Sequence, residues 1–370
     1  MSAALIDLVS VGAQDVYITG DPQVSFFRQN YKRHTNFAIK PERLDYIGSF
    51  TEGAEIKIPI QSKGDLLSYV WLEGTNINTH HEVAPATSLF NSQSNPTEFS
   101  LWIGGQEVCK LDALYVAGVH NVLYNESQAK ATTATNTRGV ELNASPNSYV
   151  IPFFFSEDWT KSLPLVALQY HEVEIRIKCR TGGSGARGAL GAISPKAYAS
   201  YIYLDTAERE FFANSEHELL ITQVQYQPMN KDDTSVDLSY FNHPVKAVHI
   251  TASTETDIWS FTEGTMYING TPLFENMTSE YHSNVVPGRH CSVLPHALDT
   301  EPVATWPFCL TMNKSQPTGS LNFSRIDSAK LALKGTANAN SGAVGAVRAY
   351  GVNYNILRIK NGMGGVAFGN

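Results

Sequence analysis

Cysteine is scarce in this 370-residue chain: four residues, Cys109, Cys179, Cys291 and Cys309, with no C-x-x-C pair among them. That spacing excludes a zinc ribbon and a dense disulfide scaffold, and it reads as reduced, buried thiols suited to assembly in the cytosol. Long apolar runs are missing as well. No window approaches the ~18 residues a membrane-spanning helix needs. The opening MSAALIDLVSVGAQD lacks a basic n-region, and Asp7 interrupts its apolar stretch, so it does not read as a signal peptide. Positive charge is not in excess: 27 Lys and Arg stand against 35 Asp and Glu, for a formal charge of −8. A protein that coats nucleic acid is usually strongly basic, so this balance weighs against that class. What the chain does have is 17 Tyr, 17 Phe, 27 Gly and 17 Pro, a composition that favours many short strands joined by turns.

Period-two patterns carry most of the structural signal. In HEVEIRIKCR, Val173, Ile175, Ile177 and Cys179 alternate with charged residues, which predicts a strand with one wet face. AEIKIPI repeats the pattern at Ile56, Ile58 and Ile60, with Pro59 pointing to a sheet edge. YASYIYLDT and HPVKAVHITAS read as strands, and Tyr350, Val352, Tyr354 and Ile356 alternate near the end. One segment follows a helical period instead: Leu111, Leu114, Tyr115, Gly118, Val119, Val122 and Leu123 predict an amphipathic helix that packs on a core. TGGSGARGALGAISP (181–195) and KGTANANSGAVGA (334–346) read as surface loops. A charged stretch, Thr206 to Glu218, separates two strand-rich halves of roughly the size of β-sandwich domains.

Motifs that could carry chemistry fail on spacing. GSGARG, from Gly183 to Gly188, has the dinucleotide-binding form but is followed by more glycine, Pro195 and a strand rather than a helix. His80, His81 and Glu82 are too tightly spaced for the metal site of a cupin. His282, His290 and His296 lie near one another with Cys291 beside one of them, but without closely spaced ligand pairs. No G-x-S-x-G elbow is present. Six Asn-x-Ser/Thr triplets, at Asn125, Asn143, Asn269, Asn276, Asn313 and Asn322, are expected to be unmodified. These readings predict no catalytic residue, no cofactor and no metal.

The remaining oddity is FFRQNYKRHTNFA, Phe26 to Ala38, where Arg28, Lys32, Arg33 and His34 sit among Phe26, Phe27, Tyr31 and Phe37. Basic residues interleaved with aromatics can stack single-stranded bases. Arg and aromatic anchors are also what protein interfaces favour.

Several ordered stretches resemble the major capsid proteins of nucleocytoplasmic large DNA viruses. LVSVGAQDVYITGDPQVSFFRQNYKRHTNFA is similar to that family's opening, and LPLVALQYHEVEIRI (163–177) to its middle. YIYLDTAERE, FNHPVK, QPTGSLNFSRID and YGVNYNILRIKNGMGG follow in the family's order. The resemblance implies an all-β chain of two consecutive eight-stranded jelly rolls with a few short helices. It divides the chain into an N-terminal arm (1–24), a first jelly roll (25–207), a linker (208–217) and a second jelly roll (218–370). It implies a homotrimer forming a pseudo-hexagonal capsomer in an icosahedral virion shell, assembled in the host cytoplasm or a viral factory. The implied partners are neighbouring capsomers, minor capsid and penton proteins, and inner membrane-associated proteins, with no specific nucleic acid. The same fold leaves room for a minor capsid paralogue or a glycan-binding protein of the virion exterior. Phe26, Phe27, Arg28, Tyr31 and Arg33 are then expected to make assembly or core contacts, held in the first barrel.

Overall fold

The computed structural model describes residues 7–74, 95–120, 123–124, 148–181, 194–229, 233–252, 259–291, 303–335, 337–338 and 347–369. The GSGARG stretch, His80 to Glu82, Asn125, Asn143 and His296 lie outside these residues. Residues 1–36 form one unit and Phe37–Asn370 another.

Among the described residues the larger unit contains sixteen principal strands. The first eight are β1 (Phe37–Leu44), β2 (Glu55–Ile60), β3 (Leu66–Glu73), β4 (Glu98–Ile103), β5 (Gln106–Asp112), β6 (Ser148–Ile151), β7 (Val173–Lys178) and β8 (Lys196–Leu204). The second eight are β9 (His217–Met229), β10 (Ser235–Asp237), β11 (Pro244–Ala252), β12 (Glu263–Ile268), β13 (Thr271–Thr278), β14 (Ala304–Pro307), β15 (Ala329–Lys334) and β16 (Val347–Lys360). In the first set, a sheet ordered β1-β8-β3-β6 accompanies one ordered β2-β7-β4-β5. In the second, β9-β16-β11-β14 accompanies β10-β15-β12-β13. Adding eight to each strand number converts one arrangement into the other, and every pairing is antiparallel. This is a jelly roll made twice.

The alternating sequences explain why the sheets close over a core. In the first barrel, register aligns Ile56, Ile177 and Phe99 in one row across β2, β7 and β4. Ile58, Ile175 and Leu101 form the next row, and Ile60, Val173 and Ile103 the third. All nine are buried, each stabilising by roughly 1.5–3 kcal/mol relative to exposure. The charged residues between them face outward, and β2 with its Pro59 is an edge strand, as expected. The second core gathers Met266, Leu331, Val236, Trp306 and Phe261.

Three expectations need correction. The segment from Leu111 is still strand through Asp112; the helical part is Ala113–Tyr115 followed by a wider π turn, Val116–His120. The stretch read as a linker is largely helix α1 (Thr206–Asn214), begun by Asp205, whose carboxylate accepts the Thr206 N–H at 2.7 Å. Arg209 of α1 donates to both oxygens of Asp65, at 2.8 and 3.0 Å, tying the helix to the first barrel. Finally, β16 is buried at nine consecutive positions, on both faces, rather than alternating. The four cysteines are free thiols: Cys109, Cys179 and Cys309 are buried and Cys291 is partly so.

Candidate assembly surfaces and the joint between the barrels

The basic-aromatic stretch falls almost wholly in the unit Met1–Asn36. The first strand opens at Phe37, beyond it, and Phe26, Phe27 and Tyr31 are 93, 102 and 78% exposed. Arg28 and Arg33 are exposed with them. The physical reason is local. The apolar positions do not alternate with a period of two, so no strand could bury them on a single face, and the segment forms no helix. The earlier part of this unit is equally open: the single turn Val16–Thr19 has no buried residue, and Tyr17 and Ile18 are exposed. Replacing Phe26, Phe27 and Tyr31 together by alanine should therefore leave the thermal midpoint of the chain within about 1 °C, because truncating an exposed side chain opens no cavity. A differential-scanning-calorimetry shift of several degrees would place these rings in a folded core after all.

Within Phe37–Asn370 the built polar site is the joint between the barrels. The outward face of β9, β16 and β11 covers the end of β5 and the helical turns after it. Asp112, the last residue of β5, organises this contact. Its carboxylate caps the following turn by accepting the Tyr115 N–H at 2.6 Å. It also accepts the Arg348 guanidinium at 2.7 Å and the Tyr350 hydroxyl at 2.9 Å, both from β16. Arg348 lies over the Tyr226 ring at 4.6 Å, and the Tyr115 and Tyr350 rings meet at 5.4 Å. At Gly118 the barrels approach closely. A Cβ there would stand 2.8 Å from the Thr251 hydroxyl oxygen.

Further along, the Gln223 amide donates to the Val108 carbonyl at 2.5 Å, and its oxygen accepts from Asn353 and Asn355. The Tyr124 hydroxyl meets His249 Nε2 at 2.8 Å, while Nδ1 of the same ring meets the Thr305 hydroxyl at 2.9 Å. Lys246 is buried; its Nζ donates to the Met312 carbonyl at 3.1 Å and stands 4.5 Å over the Tyr124 ring. Burial lowers the pKa of this ammonium. Burial also works against ionised Glu157, but Lys161 and Lys246 hold that carboxyl below its usual range, and the Thr222 hydroxyl donates to it. The C-terminal strand Met363–Val366 pairs with β16, and the turn before it accepts the Tyr170 N–H at Gly362 O, 3.0 Å. Buried polar groups of the two barrels thus hydrogen-bond one another across the joint.

His282 and His290, singled out in the sequence, make contacts within the fold. His282 Nδ1 faces the Thr305 carbonyl at 3.0 Å, and its ring lies 4.3 Å from Trp306 in the second core. His290 Nδ1 faces the Cys309 carbonyl at 2.8 Å. His290 and Cys291 sit at the end of the short helix Val286–His290. Among the described residues no group of three or more His, Cys, Asp or Glu could hold a metal ion, and no helix is long and apolar enough to cross a membrane.

The sequence signal for the joint was faint. Asp112, Lys246, Arg348, Asn353 and Asn355 are polar interruptions in otherwise apolar strands, the pattern expected where a strand's outer face meets protein instead of water.

Comparison with known proteins agrees with this architecture. Residues 25–205 match the family model described as major capsid protein N-terminus, and residues 208–365 match large eukaryotic DNA virus major capsid protein. The major capsid protein of Pyramimonas orientalis virus is 32% identical, with all of both chains covered. That of Paramecium bursaria Chlorella virus 1 is 29% identical, again over all of both chains. Among solved structures, the PBCV-1 virus capsid model superposes with a TM-score of 0.75 at 24% identity, covering 94% of this chain and 100% of that one. The Faustovirus major capsid protein gives 0.62 at 11% identity, covering 95% of each.

Proposed function

This chain belongs to the major capsid protein family of large eukaryotic DNA viruses, and on that premise we propose that three copies associate into a pseudo-hexagonal capsomer that tiles the shell. The chain is a structural component of the virion capsid, with the double jelly roll as its building block. The observation that carries the trimer is the doubling itself: two barrels of one strand order supply two of six similar wall units per chain. Three such chains fill a six-sided outline.

A trimer of this kind needs head-to-tail contacts that close into a ring. Capsomers then meet neighbouring capsomers through repeated weak contacts that add by multivalency. The exposed unit before Phe37, with Phe26, Phe27, Tyr31, Arg28 and Arg33, suits contact with other copies, minor capsid and penton proteins, or membrane-associated proteins on the inner side. These roles require no catalysis, cofactor, metal or specific nucleic acid.

Light scattering coupled to size exclusion at micromolar concentration tests the trimer. The expected mass is three times the 40.6 kDa chain. A monomer under gentle buffer conditions would sink the proposal.

A further inference from the structure

Two residues of β13 hold a left-handed backbone that side chains rarely adopt: Phe274 at φ 53° and Asn276 at φ 50°. Pairing with β12 explains both. Gly264 faces Met277 and Met266 faces Leu273, so Phe274, Glu275 and Asn276 together oppose Thr265 in a bulge. Phe274 turns its ring toward His282 and Phe308. Asn276 folds back over β12, where the Thr265 hydroxyl accepts its N–H at 2.9 Å. Bulges commonly re-aim a side chain, and this one sets a carboxamide over the neighbouring strand.

That carboxamide meets a lysine and a glutamate. Register sets Lys334, the last residue of β15, beside Glu263, the first of β12. Lys334 Nζ donates to Glu263 Oε2 at 2.9 Å and to Asn276 Oδ1 at 3.0 Å. The Thr265 hydroxyl lies 3.4 Å from the same Oδ1 and donates to it. An amine, an amide carbonyl and a proton carrier thus converge from three adjacent strands. In the first barrel the equivalent Glu98, at the start of β4, makes a plain ion pair with Lys110 of β5 at 2.9 Å. An exposed pair of that kind contributes little to stability. The carboxamide is what the second barrel adds.

We propose that Lys334 and Asn276 join spontaneously in an isopeptide bond, with Glu263 carrying the proton. Glu263 takes one proton from the Lys334 ammonium, and the freed amine attacks Asn276 Cγ. Charge gathers on Oδ1, where the Thr265 hydroxyl donates to it. Glu263 then passes its proton to Nδ2, the Cγ–Nδ2 bond breaks and ammonia leaves. One lysine hydrogen stays in the new amide, and the third departs with the ammonia as ammonium. Atoms and charge balance without an oxidant or cofactor. Holding the reacting groups in contact replaces an encounter that is otherwise bimolecular. Asn276 and Lys334 are both exposed, so the released ammonia has a way out.

The bond ties down a vulnerable strand. β13 is the edge of its sheet, and seven of its eight residues are exposed. A link from Asn276 to Lys334 closes a span of 58 residues and fastens this edge to β15 across β12.

Intact-protein mass spectrometry of the purified full chain, before and after incubation at about pH 9 to supply neutral amine, tests this. Each chain should lose one ammonia, and a tryptic digest should contain a branched peptide joining Asn276 to Lys334, uncut after Lys334. Asn269–Gly270 and Asn361–Gly362 can also shed ammonia by closing to succinimides, so the branched peptide decides the assignment. Lys334→Arg should abolish that peptide, and Glu263→Gln should slow its formation at least about 100-fold. The linked chain should melt about 5 °C above Lys334→Arg, because the bond restricts the unfolded chain as a disulfide does. A wild-type chain that yields no branched peptide after a week under these conditions overturns the proposal, as does a link that forms equally fast in Glu263→Gln.

Discussion

Asp112→Ala should cost about 3–5 kcal/mol of unfolding free energy, because removing one member of a buried ion pair strands the other charge. Arg348 is 5% exposed and cannot reach solvent without opening the joint. Loss of the cap on the Ala113–His120 turns adds to the effect by about 1 kcal/mol. The Tyr350 hydroxyl loses its acceptor as well. Urea denaturation monitored by tryptophan fluorescence gives the measurement. The double variant Asp112→Ala with Arg348→Met should recover a large part of the loss, since an apolar side chain in place of the guanidinium leaves no unpaired charge. A single variant that costs less than 1 kcal/mol, or a double variant no better than the single, would show that the pair does not hold the barrels together. The pair's second role is directional: a guanidinium and a carboxylate accept few relative orientations, so they fix how one barrel sits on the other.

Much of this architecture was legible in the chain. The rows Ile56–Ile177–Phe99 and Ile58–Ile175–Leu101 draw on three strands, and in two of them, AEIKIPI and HEVEIRIKCR, the alternation is plain in sequence. The ordered blocks from LVSVGAQD to NGMGG identified the family. The twofold repetition of topology was invisible because burial constrains volume and polarity, not identity. Where the first barrel stacks Phe99 against Ile177, the second sets Gly264 against Leu333. The joint was hidden for another reason. Asp112 lies 236 residues from Arg348, and no local period announces a partner at that distance. β16 misled because its outer face meets the other barrel, so its alternation of Tyr350, Val352 and Tyr354 with Ala349, Gly351 and Asn353 is one of size and polarity but not of burial. In the same way, the composition of FFRQNYKRHTNFA announced a contact surface but not its place. Those rings were expected in the barrel and lie before it.

Acid should weaken the chain through two buried histidines. His249 is fully buried on the outer face of the second barrel, held between the Tyr124 and Thr305 hydroxyls. Burial, and then the nearby Lys246 ammonium, push its pKa down from 6.5 to about 3. Burial lowers His282 to about 4, against the opposing pull of the Thr305 carbonyl. Both rings are therefore neutral when folded and bind a proton more readily when unfolded. A depressed folded pKa contributes stability that is complete above about pH 6.5 and is lost as pH falls, down to about 4 for His282 and about 3 for His249. Each histidine costs about 1.4 kcal/mol per pH unit inside its window. Moving from pH 7 to pH 5 should thus remove roughly 2 kcal/mol per ring, about 4 kcal/mol together. Urea unfolding at the two pH values gives this difference directly. The variant with both His249→Gln and His282→Gln should start less stable at pH 7, yet lose about 4 kcal/mol less on acidification. If its loss between pH 7 and pH 5 equals that of wild type, carboxylates rather than these rings set the acid limit of the shell protein.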